Sequence, residues 1–188
     1  LGINLMISNK SEYLKYLYED KKALGVNGLK AYLFCPIWKF QRLLRKLEYY
    51  KNCKRGFFSK IYCYFLSYKF ISMSIKLGFS IYPNCFDYGL NIAHYGDIVV
   101  NGNAKIGKYC RIHSGVCIGE INGVSPRIYD RVYIGPGVKI LGNVTIFNDN
   151  AIAANSVVLN TFNQEGVTLG GIPAKVISNK GSINLIKH

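Results

Sequence analysis

Three histidines occur in the 188 residues, and two of them, His94 and His113, fall in a strictly periodic region. A neutral imidazole has a pKa close to working pH, so it can take the proton of an alcohol that attacks an activated acyl group. The plain alternative is a pair of ordinary surface histidines. A zinc site is not expected, because zinc needs three or four ligands and the third histidine, His188, ends the chain. The cysteines (Cys35, Cys53, Cys63, Cys85, Cys110, Cys117) show neither C-x-x-C nor finger spacing. With no secretory signal they read as reduced thiols, which predicts a cytoplasmic protein. The chain opens on Leu1 rather than Met, as a trimmed start would.

What must position the two imidazoles is a ladder with a period of six. Val100, Ile106, Ile112 and Ile118 form one run, and Ile128, Ile134, Ile140, Ile146, Ile152 and Val158 form a second. Four residues after most of these sits a small or β-branched side chain, as at Ala104, Cys110, Val116, Val132, Val138, Val144 and Ser156. A helix would need a period near 3.6 and a flat strand a period of two. Six residues make a short strand plus a turn, and three such units close a triangular coil that stacks on the next. Gly107, Gly119 and Gly135 follow aliphatic positions, where a tight corner is expected. The predicted fold is mainly β, a parallel β-helix with an N-terminal helical segment. The period alone leaves its handedness open.

Counted from Ile81, the inward positions run 81, 86, 92, 100, 106, 112, 118, 128 and then every six. Two intervals are long, and extra residues must leave a closed coil as loops. The eight-residue interval holds His94, and the ten-residue interval holds GEINGVSPR. Three sides per coil put Ile92 beneath Ile112, which brings His94 to within a residue or two of His113, about 4.8 Å up the stack.

Residues 1–78 read as a helical arm or cap of three helices. The first follows Ser11 and ends at Gly25, the second follows Pro36, and the third runs from Phe57 to Leu77 with Gly78 as its stop. This part carries 15 Lys and Arg against 4 Asp and Glu, out of a chain total of 24 against 10. The stretch from Phe57 to Phe79 contains Lys60, Lys69 and Lys76 and so fails as an uncharged membrane span. Its Tyr, Phe and Lys would suit an interfacial helix at the inner face of a membrane, although packing on its own domain is the commoner use. No nucleic-acid motif accompanies the charge, and none is expected as a partner. Residues 79–172 are the predicted coil, and 173–188 a tail.

HYGDIVVNGNAKIGKYCRIHSGVCIG, with VYIGPGVKILGNV and GGIPAKVISNKGS, resembles the hexapeptide-repeat acetyltransferases. Its nearest likeness is the serine acetyltransferase-like branch, which includes enzymes of capsule and O-antigen synthesis. The resemblance implies a left-handed coil, a homotrimer with sites between neighbours, and acetyl-CoA in the outer groove as acetyl donor. It implies that His94 is the general base, with His113 assisting. It also implies that Lys175 of G-I-P-A-K and nearby Lys180 meet the coenzyme phosphates, while small Gly135 and Ala153 admit the pantetheine arm. For these two, a tight corner is the competing explanation.

The departures bear on the acceptor. Serine acetyltransferases place an Asp before this histidine and another ahead of the first repeat, where Ala93 and Ser80 stand here. Their extruded loop carries an Arg-His pair, where Val124 and Ser125 stand. A serine carboxylate would want such a cation. The expected acceptor is therefore a sugar hydroxyl, with serine as the alternative. Asp97, Ser114 and Glu120 are the candidates for orienting His94 and meeting the acceptor. A rival of another class is a non-catalytic coil with a basic membrane- or partner-binding arm.

Overall fold

A computed structural model describes residues 6–186. The chain begins with α1 (Lys10–Leu24), α2 (Gly28–Phe34), α3 (Pro36–Cys53) and α4 (Phe57–Leu77). The first helix starts earlier than expected: Asn9, not Ser11, caps it, accepting the Glu12 N–H at 2.9 Å while the Glu12 carboxylate reaches back to the Ser8 N–H. Gly25 and Gly78 end α1 and α4 with left-handed backbone, as expected. The short α2 was not anticipated. Its seven residues bury no side chain, so they carry no periodic signal.

The rest winds into three parallel sheets, one per side of a triangular coil. One side stacks β1 (Phe79–Ile81), β3 (Ile98–Val100), β6 (Cys117–Gly119), β9 (Lys139–Leu141) and β12 (Val157–Val158). The second stacks β4 (Lys105–Ile106), β7 (Arg127–Ile128) and β10 (Thr145–Ile146). The third stacks β2 (Asn91–Ile92), β5 (Arg111–Ile112), β8 (Tyr133–Ile134), β11 (Ala151–Ile152) and β13 (Thr168–Gly171). Ile92, Ile112, Ile134, Ile152 and Leu169 lie directly above one another, all fully buried. The predicted register is thus the observed one. An antiparallel strand, β14 (Ala174–Ser178), folds back on β13, so the β13–β14 hairpin spans the expected boundary at residue 172.

One detail differs from the sequence reading. Gly107 and Gly135 are not at left-handed positions. A Cβ on Gly135 would stand 2.7 Å from the Ile152 carbonyl oxygen, and one on Gly107 would meet Asp130 and the Tyr129 backbone. Stacking of the next coil, rather than corner curvature, excludes a side chain there. The helical segment packs on the coil as a cap. Phe40, Leu44, Leu47, Leu66 and Phe70 share one continuous core with the first coils.

A buried ion network joins the two parts. Arg45, wholly inaccessible, donates to Asp20 Oδ2 (2.8 Å), Glu48 Oε2 (3.0 Å) and the carbonyls of Phe86 and Asp87 (2.8 Å each). Asp20 in turn accepts the Leu90 N–H, and Glu48 the Asn84 N–H. Burial would lower the Arg45 pKa, but the two carboxylates outweigh it and hold the guanidinium charged. Every polar partner of the network is satisfied, the condition under which buried charge is tolerated.

Candidate functional site

Residues 93–97 form the first interruption of the coil, and the helices hold both its ends. On entry, Gln41 donates to the Leu90 carbonyl at 2.7 Å and Asn91 donates to the Ala23 carbonyl at 2.6 Å. On exit, the Gly96 and Ile98 N–H groups donate to the carbonyls of Leu77 and Gly78 that end α4. The loop carrying His94 is therefore fixed by hydrogen bonds on both sides, from side-chain amides on entry and from the backbone on exit.

His94 is exposed, and its ring centroid lies 5.9 Å from that of half-buried His113 on the coil above. The Tyr133 ring follows at 5.1 Å from His113. Burial lowers the His113 pKa, and Arg111 and His94 lower it further, so this imidazole is neutral at pH 7. Its Nε2 is buried with no hydrogen-bond partner among the described residues. Ser114 and Asp97 share the corner: the Gly115 N–H donates to the Asp97 carbonyl, and the Gly96 Cα faces the Ser114 side chain.

Glu120 does not join them within one chain. It lies beyond the far end of β6, where its Oε2 accepts from Asn103 Nδ2 (3.2 Å) and Ser125 Oγ (3.4 Å). This corrects its candidacy as the partner of His94 in the same protomer. A strand of three residues separates the two corners by roughly 10 Å. The 120–126 loop it begins is a miniature hairpin, Ile121 bridging Val124 across left-handed Asn122 and Gly123.

Arg111 was missed. It and His113 flank inward-facing Ile112, so both side chains face outward; the R-I-H spacing carried that signal. Its Nη1 donates to the Leu185 carbonyl at 3.3 Å, while Nε is buried without a partner among the described residues. It lines a cleft of about 290 Å³ with Ala23, Leu24, Cys35, Asn91 and Ala93, beside the histidine corner.

From His113 a column of small residues climbs the same face. The ladder steps from Ala93 to His113, Gly135, Ala153 and Gly170, each amide donating to the coil above where one follows. Lys175 is paired with Gly170 in the terminal hairpin and is exposed, as is Lys180. At about 4.8 Å per coil, Gly170 stands roughly 14 Å from His113. From Gly135 to Ala153 the strip carries only small residues, the Ile177 side chain lies against Gly170, and imidazoles stand at one end with ammonium groups near the other. It suits a long, thin donor that is anionic at one end. Among the described residues no cluster of His, Cys, Asp or Glu could hold a metal ion.

Coil and terminal hairpin together have the hexapeptide-repeat β-helix fold seen in solved serine acetyltransferases. In sequence the chain is similar to serine acetyltransferases. It is 35% identical over 109 residues to serine acetyltransferase of Synechococcus elongatus and 34% identical over 111 residues to that of Haemophilus influenzae. These alignments cover 55% and 56% of this chain but 44% and 41% of the relatives, so the chain spans less than half the length of either. The crystal structure of serine acetyltransferase from Brucella abortus matches with a TM-score of 0.72 at 26% identity, covering 92% of this chain and 71% of that one. The same enzyme in complex with coenzyme A matches with a TM-score of 0.71 at 25% identity, covering 92% and 70%. No family model matches the chain. The expected capsule or O-antigen branch gains no support from these relatives.

Proposed function

We propose that the chain transfers acetyl from acetyl-CoA to an acceptor hydroxyl, as a homotrimer, with His94 as general base. The observation that carries this is the pair of imidazoles 5.9 Å apart at the foot of the column of small residues. His94 accepts the hydroxyl proton as the oxygen bonds to the thioester carbonyl carbon. Collapse of the tetrahedral adduct breaks the C–S bond, and the imidazolium returns the proton to the departing thiolate. No covalent intermediate on the protein is needed. His113, kept neutral, leaves the developing positive charge to His94. Gly135 and Ala153 line the path of the extended arm, while Lys175, supported by Lys180, meets the phosphates as a point charge.

The comparisons favour free L-serine as the acceptor over the sugar hydroxyl expected from the sequence. Arg111 supports them, because it supplies beside the histidine corner the cation that Val124 and Ser125 do not. A neutral saccharide hydroxyl is the second reading. It is favoured by the 120–126 hairpin, which contains no cation and turns Ser125 Oγ to Asn101 Oδ1 at 3.0 Å.

The test is thiol release from acetyl-CoA across L-serine and a panel of sugars. Turnover with serine that loses affinity for serine in Arg111→Met supports the first reading. Turnover with a sugar alone supports the second, and no release with any acceptor overturns both.

A further inference from the structure

Helix α4 is apolar on two opposite faces, and only one is covered within the protomer. Cys63, Leu66, Phe70, Met73 and Leu77, spaced by threes and fours, pack against the core. About 200° round the helix, Phe57, Ile61, Tyr64, Tyr68, Ile71 and Ile75 repeat the same spacing into solvent, Tyr64 and Ile75 each more than three-quarters exposed. An apolar stripe of this length on a monomer surface marks an interaction site.

The charge around it narrows the partner. From Tyr49 to Phe86 the chain carries Lys51, Lys54, Arg55, Lys60, Lys69 and Lys76 and no carboxylate. On the helical wheel Lys60 borders the exposed stripe on one side, Lys69 and Lys76 on the other. Two grooves run beside it. One, of about 360 Å³, is walled by Leu47, Phe70, Ile71, Ser74 and Phe79, with Ser74 Oγ buried and unpartnered. The other, of about 530 Å³, gathers Lys51, Lys54, Lys60 and Tyr64, and the two share Lys51 and Ser67.

We infer that this face docks on an anionic phospholipid bilayer, with the stripe lying in the interface and the lysines meeting lipid phosphates. A second copy of the chain would bring the same cations together with no acid between them, which opposes self-association. Lysine stems extend along apolar surface while their ammonium groups reach the phosphates, and Tyr rings suit the same depth. Among the described residues no helix is long and apolar enough to cross a membrane, so the contact is peripheral.

The experiment is co-sedimentation of the full chain with vesicles of phosphatidylcholine, with and without phosphatidylglycerol. Binding is expected only to the anionic vesicles and falls as salt is raised. Lys51→Glu/Lys54→Glu/Lys60→Glu should bind on the order of a hundredfold more weakly. Lys10→Glu/Lys21→Glu/Lys22→Glu, with the same net charge change on α1, should bind as the parent does. Tyr64→Ser/Tyr68→Ser should weaken binding while its melting temperature stays unchanged. Equal binding to neutral vesicles, equal loss in the α1 variant, or full binding by the tyrosine variant overturns the inference. So does light scattering that shows lipid-free protein doubling its assembly through this face, with the doubling lost in the tyrosine variant.

Discussion

Replacing Arg45 by Met should be among the most damaging single substitutions in the molecule, and the reason is electrostatic. Asp20 and Glu48 are as inaccessible as Arg45 itself, so the variant leaves two carboxyl groups in the core facing no cation. The Phe86 and Asp87 carbonyls lose donors as well. Breaking such a pair costs about 3–5 kcal/mol, against a total stability of roughly 5–15 kcal/mol for a domain. Burial already raises the Asp20 and Glu48 pKa values, with Arg45 as the main opposing influence. Without Arg45 both rise further. A carboxyl whose folded pKa exceeds its unfolded value binds more protons when folded, so it favours folding at low pH and loses that favour as pH rises. The deficit of the variant should therefore be larger at pH 8 than at pH 5.5. Urea unfolding followed through Trp38, the sole and buried tryptophan, measures it. Adding Asp20→Leu and Glu48→Leu should recover part of the loss, but not all, because the Leu90 and Asn84 N–H groups then lack acceptors. A loss under about 1 kcal/mol at pH 8, or one equal at both pH values, would refute this account of the clamp.

His94→Ala should lower acetyl transfer by roughly 10²–10⁴-fold, the usual worth of a general base, and His113→Ala by less; steady-state thiol release reads both, and near-full activity in the first removes the base. Arg111→Met should move the His113 imidazole titration to higher pH in NMR, since it removes a cause of the lowering. In the parent the sign is the reverse of the carboxylates: the stability that His113 contributes is present above its unfolded pKa and is lost as pH falls. Gly135→Ala should lower the melting temperature, because its methyl would meet Ile152 O and Ala154 N, both backbone atoms of the next coil. The cost is about 1–3 kcal/mol, and a raised KM for acetyl-CoA with unchanged melting would instead mean that donor access alone demands glycine.

The coil was legible from residue spacing because each repeat touches only the repeats above and below it. Counting three sides per coil sufficed to set Ile92 beneath Ile112, and with it His94 beside His113. The two long intervals likewise announced the loops that leave the coil. What spacing left undecided was everything that joins distant parts of the chain. Nothing in the sequence reading singled out Arg45, Asp20 or Glu48, yet they form the buried joint between helices and coil. The carbonyls that Arg45 meets lie some forty residues away, and no periodicity reports such a meeting. Glu120 belonged to the candidate site until the triangle put it at the next corner. The mixture of Tyr, Phe and Lys in α4 suited either an interfacial helix or one packed on its own domain, because only packing decides which of two apolar faces finds a partner. Local repetition is written into a sequence, whereas burial is a property of the assembled whole.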